Sequence, residues 1–253
     1  VVLGHAFFDS IIYERSEKMS DYTRIRFTNI EDPDRSVYLT LPAAPEQFQE
    51  AMRSIGAETI GKDCKVTDFT SEVSALDQLL AVNPDAVINA TLDELNYAAA
   101  RIAELTSTQR RLLDTVSESP LRLMKLERII DFKENYEVFL LIPEAKNAAG
   151  LGHYYAYQSG MVDMPLKWKA AIDLEKLGMI AAEMEHGAFT AHGYVLPTGD
   201  EWKPRFEKDR IIPEKFRVTG AAIRPSVRKR LKSEKSKPSE LPEHKHGKPD
   251  RER

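Results

Sequence analysis

The pattern that most constrains this chain is a change of hydrophobic period, from two residues to 3.6, that occurs twice along its length. Thr23–Asn29 alternates, with Ile25 and Phe27 set against Arg24 and Arg26, which is the spacing of a half-buried strand. Glu31-Asp32-Pro33-Asp34 is turn chemistry, and Val37–Leu41 alternates again as a second strand. Near Pro45 the period lengthens. Glu46 falls in the first helical turn, where the dipole favours an anion, and Phe48, Met52 and Ile55 recur at helical spacing up to Gly56. Lys65–Phe69 predicts a third strand. The result is a small ββαβ unit, and the fold class is α+β rather than a pure bundle or sandwich.

The second change comes at Thr91. Thr91-Leu92-Asp93-Glu94 is a capping box, in which the Thr91 hydroxyl and the Glu94 carboxylate each accept from an exposed N–H at the helix start. Leu92, Leu95, Ala99 and Ile102 then repeat at helical spacing, which predicts that Asp93, Glu94, Arg101 and Glu104 face outward. Thr106 or Ser107 caps a further short helix through Val116, and Ser119-Pro120 predicts the start of another, with proline at the first helical position. Beyond Tyr136 the expected elements are a strand over Glu137–Ile142, a short helix over Leu151–Gln158 and a longer one over Ile172–Glu185. That longer helix is expected to turn Leu174, Leu177, Ala181 and Met184 inward. His192–Leu196 would be a closing strand. Past Val218 periodicity ends, and from Arg224 the Lys/Ser/Pro/Glu-rich composition predicts disorder.

Charge divides the chain unevenly. Residues 224–253 hold eleven Lys/Arg and five Asp/Glu, whereas residues 1–223 hold 25 Lys/Arg and 35 Asp/Glu. An acidic body thus carries a basic tail, an asymmetry associated with electrostatic partners. The single cysteine, Cys64, excludes an intramolecular disulfide framework and fits a reducing compartment. No run of about 18 apolar residues exists to cross a membrane as a helix. The N-terminal VVLGHAFFDSIIY has no basic residue before it and is interrupted by Asp9, so it reads poorly as a signal peptide. The expected location is the cytoplasm.

Catalytic signatures are missing. There is no GxxxxGK[ST] loop, no GxGxxG after a strand and no GxSxG elbow, and the only glycine-rich spot, Ala149-Gly150-Leu151-Gly152, reads as helix entry. Glu183, His186 and His192 have the residue types of a zinc site and support a weaker hydrolase alternative, but nothing of the HExxH kind accompanies them. No catalytic residue, metal or cofactor is therefore assigned. The tail segment Arg228, Lys229, Arg230 and Lys232 has the chemistry to lie along phosphates, without an aromatic to stack on bases.

Two stretches resemble a known family. Asp93-Glu94-Leu95-Asn96-Tyr97-Ala98-Ala99, opening a helix toward Glu104-Leu105, is similar to the helix-opening signature of ArdA-type antirestriction proteins. So is Ala171-Ile172-Asp173-Leu174-Glu175-Lys176-Leu177 through Ala181-Ala182-Glu183, closed by Gly193-Tyr194-Val195, although Leu174 stands where the family usually has an aromatic. Leu151-Gly152-His153-Tyr154-Tyr155 resembles the larger Firmicute-type members, and with Val66-Thr67-Asp68-Phe69 the likeness runs from about Tyr22 to Val218.

The resemblance implies an elongated chain of small α/β and helical domains, often a homodimer, of the kind carried by conjugative transposons and other mobile elements. Its expected divisions here are an extension at 1–21, a ββαβ domain at 22–90, a helical domain at 91–133, an α/β domain at 134–223 and the tail at 224–253. It also implies a non-catalytic DNA mimic that inhibits a type I restriction–modification methyltransferase and specificity complex, or another DNA-binding defence complex. Glu46, Glu50, Asp93, Glu94, Glu104, Asp114 and Glu118 are the expected phosphate-mimic carboxylates, exposed and on one face. One face is necessary because duplex DNA carries about one charge per 1.7 Å, which a dispersed surplus of acids cannot match. The alternative is an accessory protein of a mobile element that binds nucleic acid through Arg228, Lys229, Arg230 and Lys232.

Overall fold

A computed structural model describes residues 23–219, all within one compact unit. The expected extension at 1–21 and the tail at 224–253 lie outside the described residues.

The chain begins with β1 (Thr23–Asn29) and β2 (Ser36–Leu41), antiparallel, followed by helix α1 (Pro45–Ser54) and strand β3 (Cys64–Ser71). The sheet order is β2-β1-β3, with Ile25 opposite Leu39 and Phe69. A bulge between Arg26 and Phe27 shifts the β1–β3 register by one. Ile25, Phe27, Leu39 and Leu41 face inward, and α1 covers them with Phe48, Ala51 and Met52. The Phe27 and Phe48 rings meet edge to face at 6.0 Å, a preferred aromatic geometry.

Seven helices and one strand follow before the chain turns back. They are α2 (Ser74–Val82), the single turn α3 (Asp85–Ile88), α4 (Leu92–Ala103), α5 (Ser107–Ser117) and α6 (Leu126–Asn135), then β4 (Phe139–Ile142), α7 (Ala148–His153) and α8 (Leu166–Lys169). A π-helical turn, Tyr154–Gln158, extends α7. The predicted capping box at Thr91 is present: the Thr91 hydroxyl accepts from the Glu94 N–H at 3.1 Å and the Glu94 carboxylate from the Thr91 N–H at 2.8 Å. Thr106 caps α5 in the same way with Gln109. Ser119-Pro120 does not open a helix. Ser119 Oγ donates to the Val116 carbonyl and accepts from the Leu121 N–H, which closes α5 in a turn and delays α6 to Leu126.

The last elements are α9 (Leu174–Glu185), β5 (Ala188–Thr190), β6 (Gly193–Pro197) and the short α10 (Phe206–Asp209). A second antiparallel sheet has the order β4-β6-β5. One hydrophobic core runs from the first sheet through α2, α4, α5 and α6 to Val195, Phe206, Ile212 and Val218. A smaller core gathers Ile142, Ala145, Leu151, Tyr155, Tyr194 and Leu196, with Leu177, Ala181 and Ala182 of α9 packed on it. Here α7 and α9 cross closely. A Cβ at Gly178 would overlap the Ala148 carbonyl, and one at Gly152 would overlap the Leu174 carbonyl. Tyr155 donates to Glu185 at 2.5 Å, and burial together with Glu185 pushes the Tyr194 hydroxyl up to about 12. Met184, expected inward, is 75% exposed, because the crossing uses the Gly178 face of α9 and Met184 lies on the other side.

Candidate partner-binding surface

The seven expected carboxylates fall into three environments. Glu46 and Glu50 lie on α1 one turn apart, both exposed, with no ion pair among the described residues. Amphipathicity places them there: Phe48, Ala51 and Met52 take the opposite face of α1 into the core. Glu118, at the end of α5, is also exposed. It accepts from Ser74 Oγ at 3.2 Å, and His192 Nε2 stands 3.5 Å away.

Glu94, Glu104 and Asp114 are partnered by cations. Arg210, in a left-handed backbone conformation, donates to Glu94 at 3.0 Å and also reaches Glu127. Glu104 accepts from Arg101 at 2.8 Å and from Lys133 at 3.0 Å, and the Lys133 hydrogen bond holds its carboxyl below the usual range. Asp114 pairs with Arg110 at 3.1 Å. A carboxylate with a cation in contact projects less field than a free one, so these three are weaker phosphate surrogates as they stand.

Asp93 corrects the expectation outright. It is only 6% exposed, and it does not face outward. Its Oδ1 accepts from the backbone N–H groups of Val218 at 2.8 Å and Thr219 at 3.0 Å, and its Oδ2 from the Thr219 hydroxyl at 2.8 Å. The cause is the segment after β6, which returns across α6 and α4 and lacks regular backbone partners of its own. Buried side chains supply them. Asn135 exchanges two hydrogen bonds with Lys203, Asp131 accepts from the Phe206 and Glu207 N–H groups, and Asn96 joins the Phe216 carbonyl to both backbone groups of Ala43. Sequence reasoning gave Asp93 the wrong face and missed Asn96, Asp131 and Asn135 as anchors, whose only signal was polar residues at positions beside the apolar stripe. It also passed over Asp77 on α2, exposed and one turn beyond the Ser74 that holds Glu118.

A cleft of about 580 Å³ opens between α3, α4, α6 and α10. Of the acids that line it, Glu94, Glu127 and Glu207 are engaged with Arg210, Lys125 or Arg128, and Asp85 stands at its edge. Glu183, His186 and His192 do not converge: among the described residues no group of three or more His, Cys, Asp or Glu side chains is arranged to hold a metal ion. Arg228, Lys229, Arg230 and Lys232 lie outside the described residues. No described helix is long and apolar enough to cross a membrane.

No curated protein matches the chain. The family model described as Antirestriction protein (ArdA) matches residues 35–196, which takes in β2 through the body of β6 and well over half of the 253 residues. With the helix-opening segment at Asp93, the α9 segment and the Gly193-Tyr194-Val195 strand all inside that match, the chain belongs to the ArdA antirestriction protein family.

Proposed function

We propose that this chain is a non-catalytic, cytoplasmic inhibitor that presents carboxylates in place of DNA phosphates to a type I restriction–modification complex, and that it works as a homodimer. The observation that carries the reading, beyond family membership, is the free acidic face of α1. Glu46 and Glu50 stand at i and i+4, about 5–6 Å apart at Cβ, on a helix whose other side is anchored in the core. Rigid display of like charges suits a mimic of a phosphate row, because Glu46 and Glu50 have no cation of their own among the described residues to be displaced before a basic groove engages them. Glu118, held by Ser74, and Asp77, three residues beyond that serine on α2, add a second group. Glu94, Glu104 and Asp114 contribute on binding only if a partner's lysine or arginine displaces their own cation.

The test is protection of unmodified DNA from a type I enzyme by the full chain and by a Glu46→Gln, Glu50→Gln, Glu118→Gln variant. Exposed charges contribute at most about 1 kcal/mol each to folding, so the variant should unfold within about 1–2 kcal/mol of the parent. It should bind the complex more weakly and with a flatter salt dependence. Protection equal to the parent's would reduce these acids to a solvated face. Retention of nucleic acid by the isolated protein, lost on deleting residues 224–253, would favour the accessory-protein alternative.

A further inference from the structure

The first sheet has one covered side and one open side. Helix α1 packs against Ile25, Phe27 and Leu39, so the residues that alternate with them point away from the core. The strand register sets Arg26 between Tyr38 and Asp68, with Arg24 beside Thr40 in the row before and Lys65 opposite Thr28 in the row after. Side-chain contacts join this face. Arg26 donates to Ser36 Oγ at 2.9 Å, its guanidinium lies 5.7 Å from the centre of the Tyr38 ring, and the Tyr38 hydroxyl donates to Asp68 at 3.4 Å. Tyr38 nevertheless remains 51% exposed.

We propose that this open sheet face binds single-stranded nucleic acid, with a base stacked on Tyr38 and backbone phosphates held by Arg26 and Lys65. Charge complementarity points to the occupant. The outward positions of the three strands hold three cations, Arg24, Arg26 and Lys65, against one acid, Asp68, although residues 1–223 as a whole hold 25 Lys/Arg and 35 Asp/Glu. Neither Arg26 nor Lys65 has an ion-pair partner among the described residues, so both have donors to give a phosphate. An exposed aromatic beside such cations distinguishes a nucleic-acid platform from a merely basic patch, because every base offers a ring face to stack. The arginine already over the tyrosine adds a cation–π contact to that stack.

The chemistry favours a single strand over a duplex. Stacking on Tyr38 needs a base free of its neighbours, and a flat sheet face has no element to enter a groove. Glu46 and Glu50 stand on the outer side of α1, which covers the opposite side of the same sheet, so one unit turns acids one way and cations the other. The site therefore stands apart from the mimicry proposed above and uses none of its carboxylates. It also has the aromatic that the segment Arg228, Lys229, Arg230 and Lys232 lacks.

Fluorescence anisotropy of a labelled single strand of about 12 nucleotides, titrated with the full chain, tests this. Tyr38→Ala should weaken binding about tenfold, and Tyr38→Phe, which keeps the ring, should stay within about twofold of the parent. Lys65→Gln should lower the slope of log affinity against log salt by about 0.7, the contribution of one phosphate on a single strand. Photo-crosslinking of a 4-thiothymidine oligonucleotide to the parent chain should label the β2 peptide that contains Tyr38, and this readout needs no substitution. Crosslinks confined to residues 224–253 overturn the proposal, as does a folded Tyr38→Ala that binds as tightly as the parent. Loss of the Tyr38 crosslink to an equal concentration of polyglutamate or of duplex overturns it too, since either would mark a patch read by charge alone. Failure of the mimicry reads separately: the Glu46→Gln, Glu50→Gln, Glu118→Gln variant has an intact sheet face and should bind the single strand as the parent does.

Discussion

Asp93→Ala should destabilise the protein far more than removal of an ordinary helix-surface acid. The carboxylate accepts three hydrogen bonds, two of them from backbone N–H groups and one of those from Val218, which is 3% exposed. Hydrogen bonds to a charged acceptor contribute about 1.5–3 kcal/mol each, and a buried donor left unsatisfied costs about 1–3 kcal/mol. Thr219 is exposed and can turn to water, so most of the loss falls at Val218. The expected change is about 2–4 kcal/mol. Asp93→Asn keeps an oxygen for the two N–H groups and loses mainly the charge, so about 1 kcal/mol is expected. Urea unfolding of the full chain at neutral pH should show a lower midpoint with an unchanged slope, and heat should unfold Asp93→Ala roughly 5–15 °C earlier. Amide exchange at Val218 and Thr219 should rise in the same variant. If Asp93→Ala unfolds within about 0.5 kcal/mol of the parent and the Val218 amide stays protected, then Asp93 is a surface charge after all and the anchoring of the returning segment is wrong.

Gly178→Ala should cost at least the roughly 1–3 kcal/mol typical of overpacking, because the added methyl overlaps the Ala148 carbonyl and must drive α7 and α9 apart; a thermal midpoint equal to the parent's would contradict the close crossing. Glu104→Gln addresses pH. The Lys133 hydrogen bond lowers the Glu104 pKa in the folded state, so its contribution is present above the ordinary glutamate value of about 4.3 and is lost as the pH falls through the lowered one. With the side chain about one-third exposed, the parent should exceed Glu104→Gln by only about 0.5–1 kcal/mol at pH 7, and the gap should close in acid. A gap that is constant from pH 7 to pH 3 would show that the lost contact is not ionic.

The elements that were legible in the sequence are those whose cause is local. Ile25 and Phe27 alternate because a strand must bury one side, and Thr91 with Glu94 closes a capping box three residues long, so both were readable before any tertiary contact existed. The acidic face of α1 was readable for the same reason. Short or unmarked elements were not: β5 is three residues, and α2 has no side-chain cap at its start. Ser119-Pro120 carried a helix-start signal, but the serine spent its hydroxyl on the end of α5 instead.

What the sequence by itself determined is the ββαβ order of the first unit, the apolar inward faces of β1, β2, α1 and α4, and the family likeness that the ArdA match bears out. Tertiary structure decided which polar residues those faces still had to accommodate. Asp93 meets Val218 across 125 positions, Asn96 meets Phe216 across 120, and Asp131 meets Phe206 across 75. Glu94 finds Arg210 across 116. Helical periodicity assigns a side chain to a face of its own helix, whereas burial depends on what another part of the chain later lays against that face, and a returning segment with unpaired backbone draws acids inward that periodicity alone would leave in water.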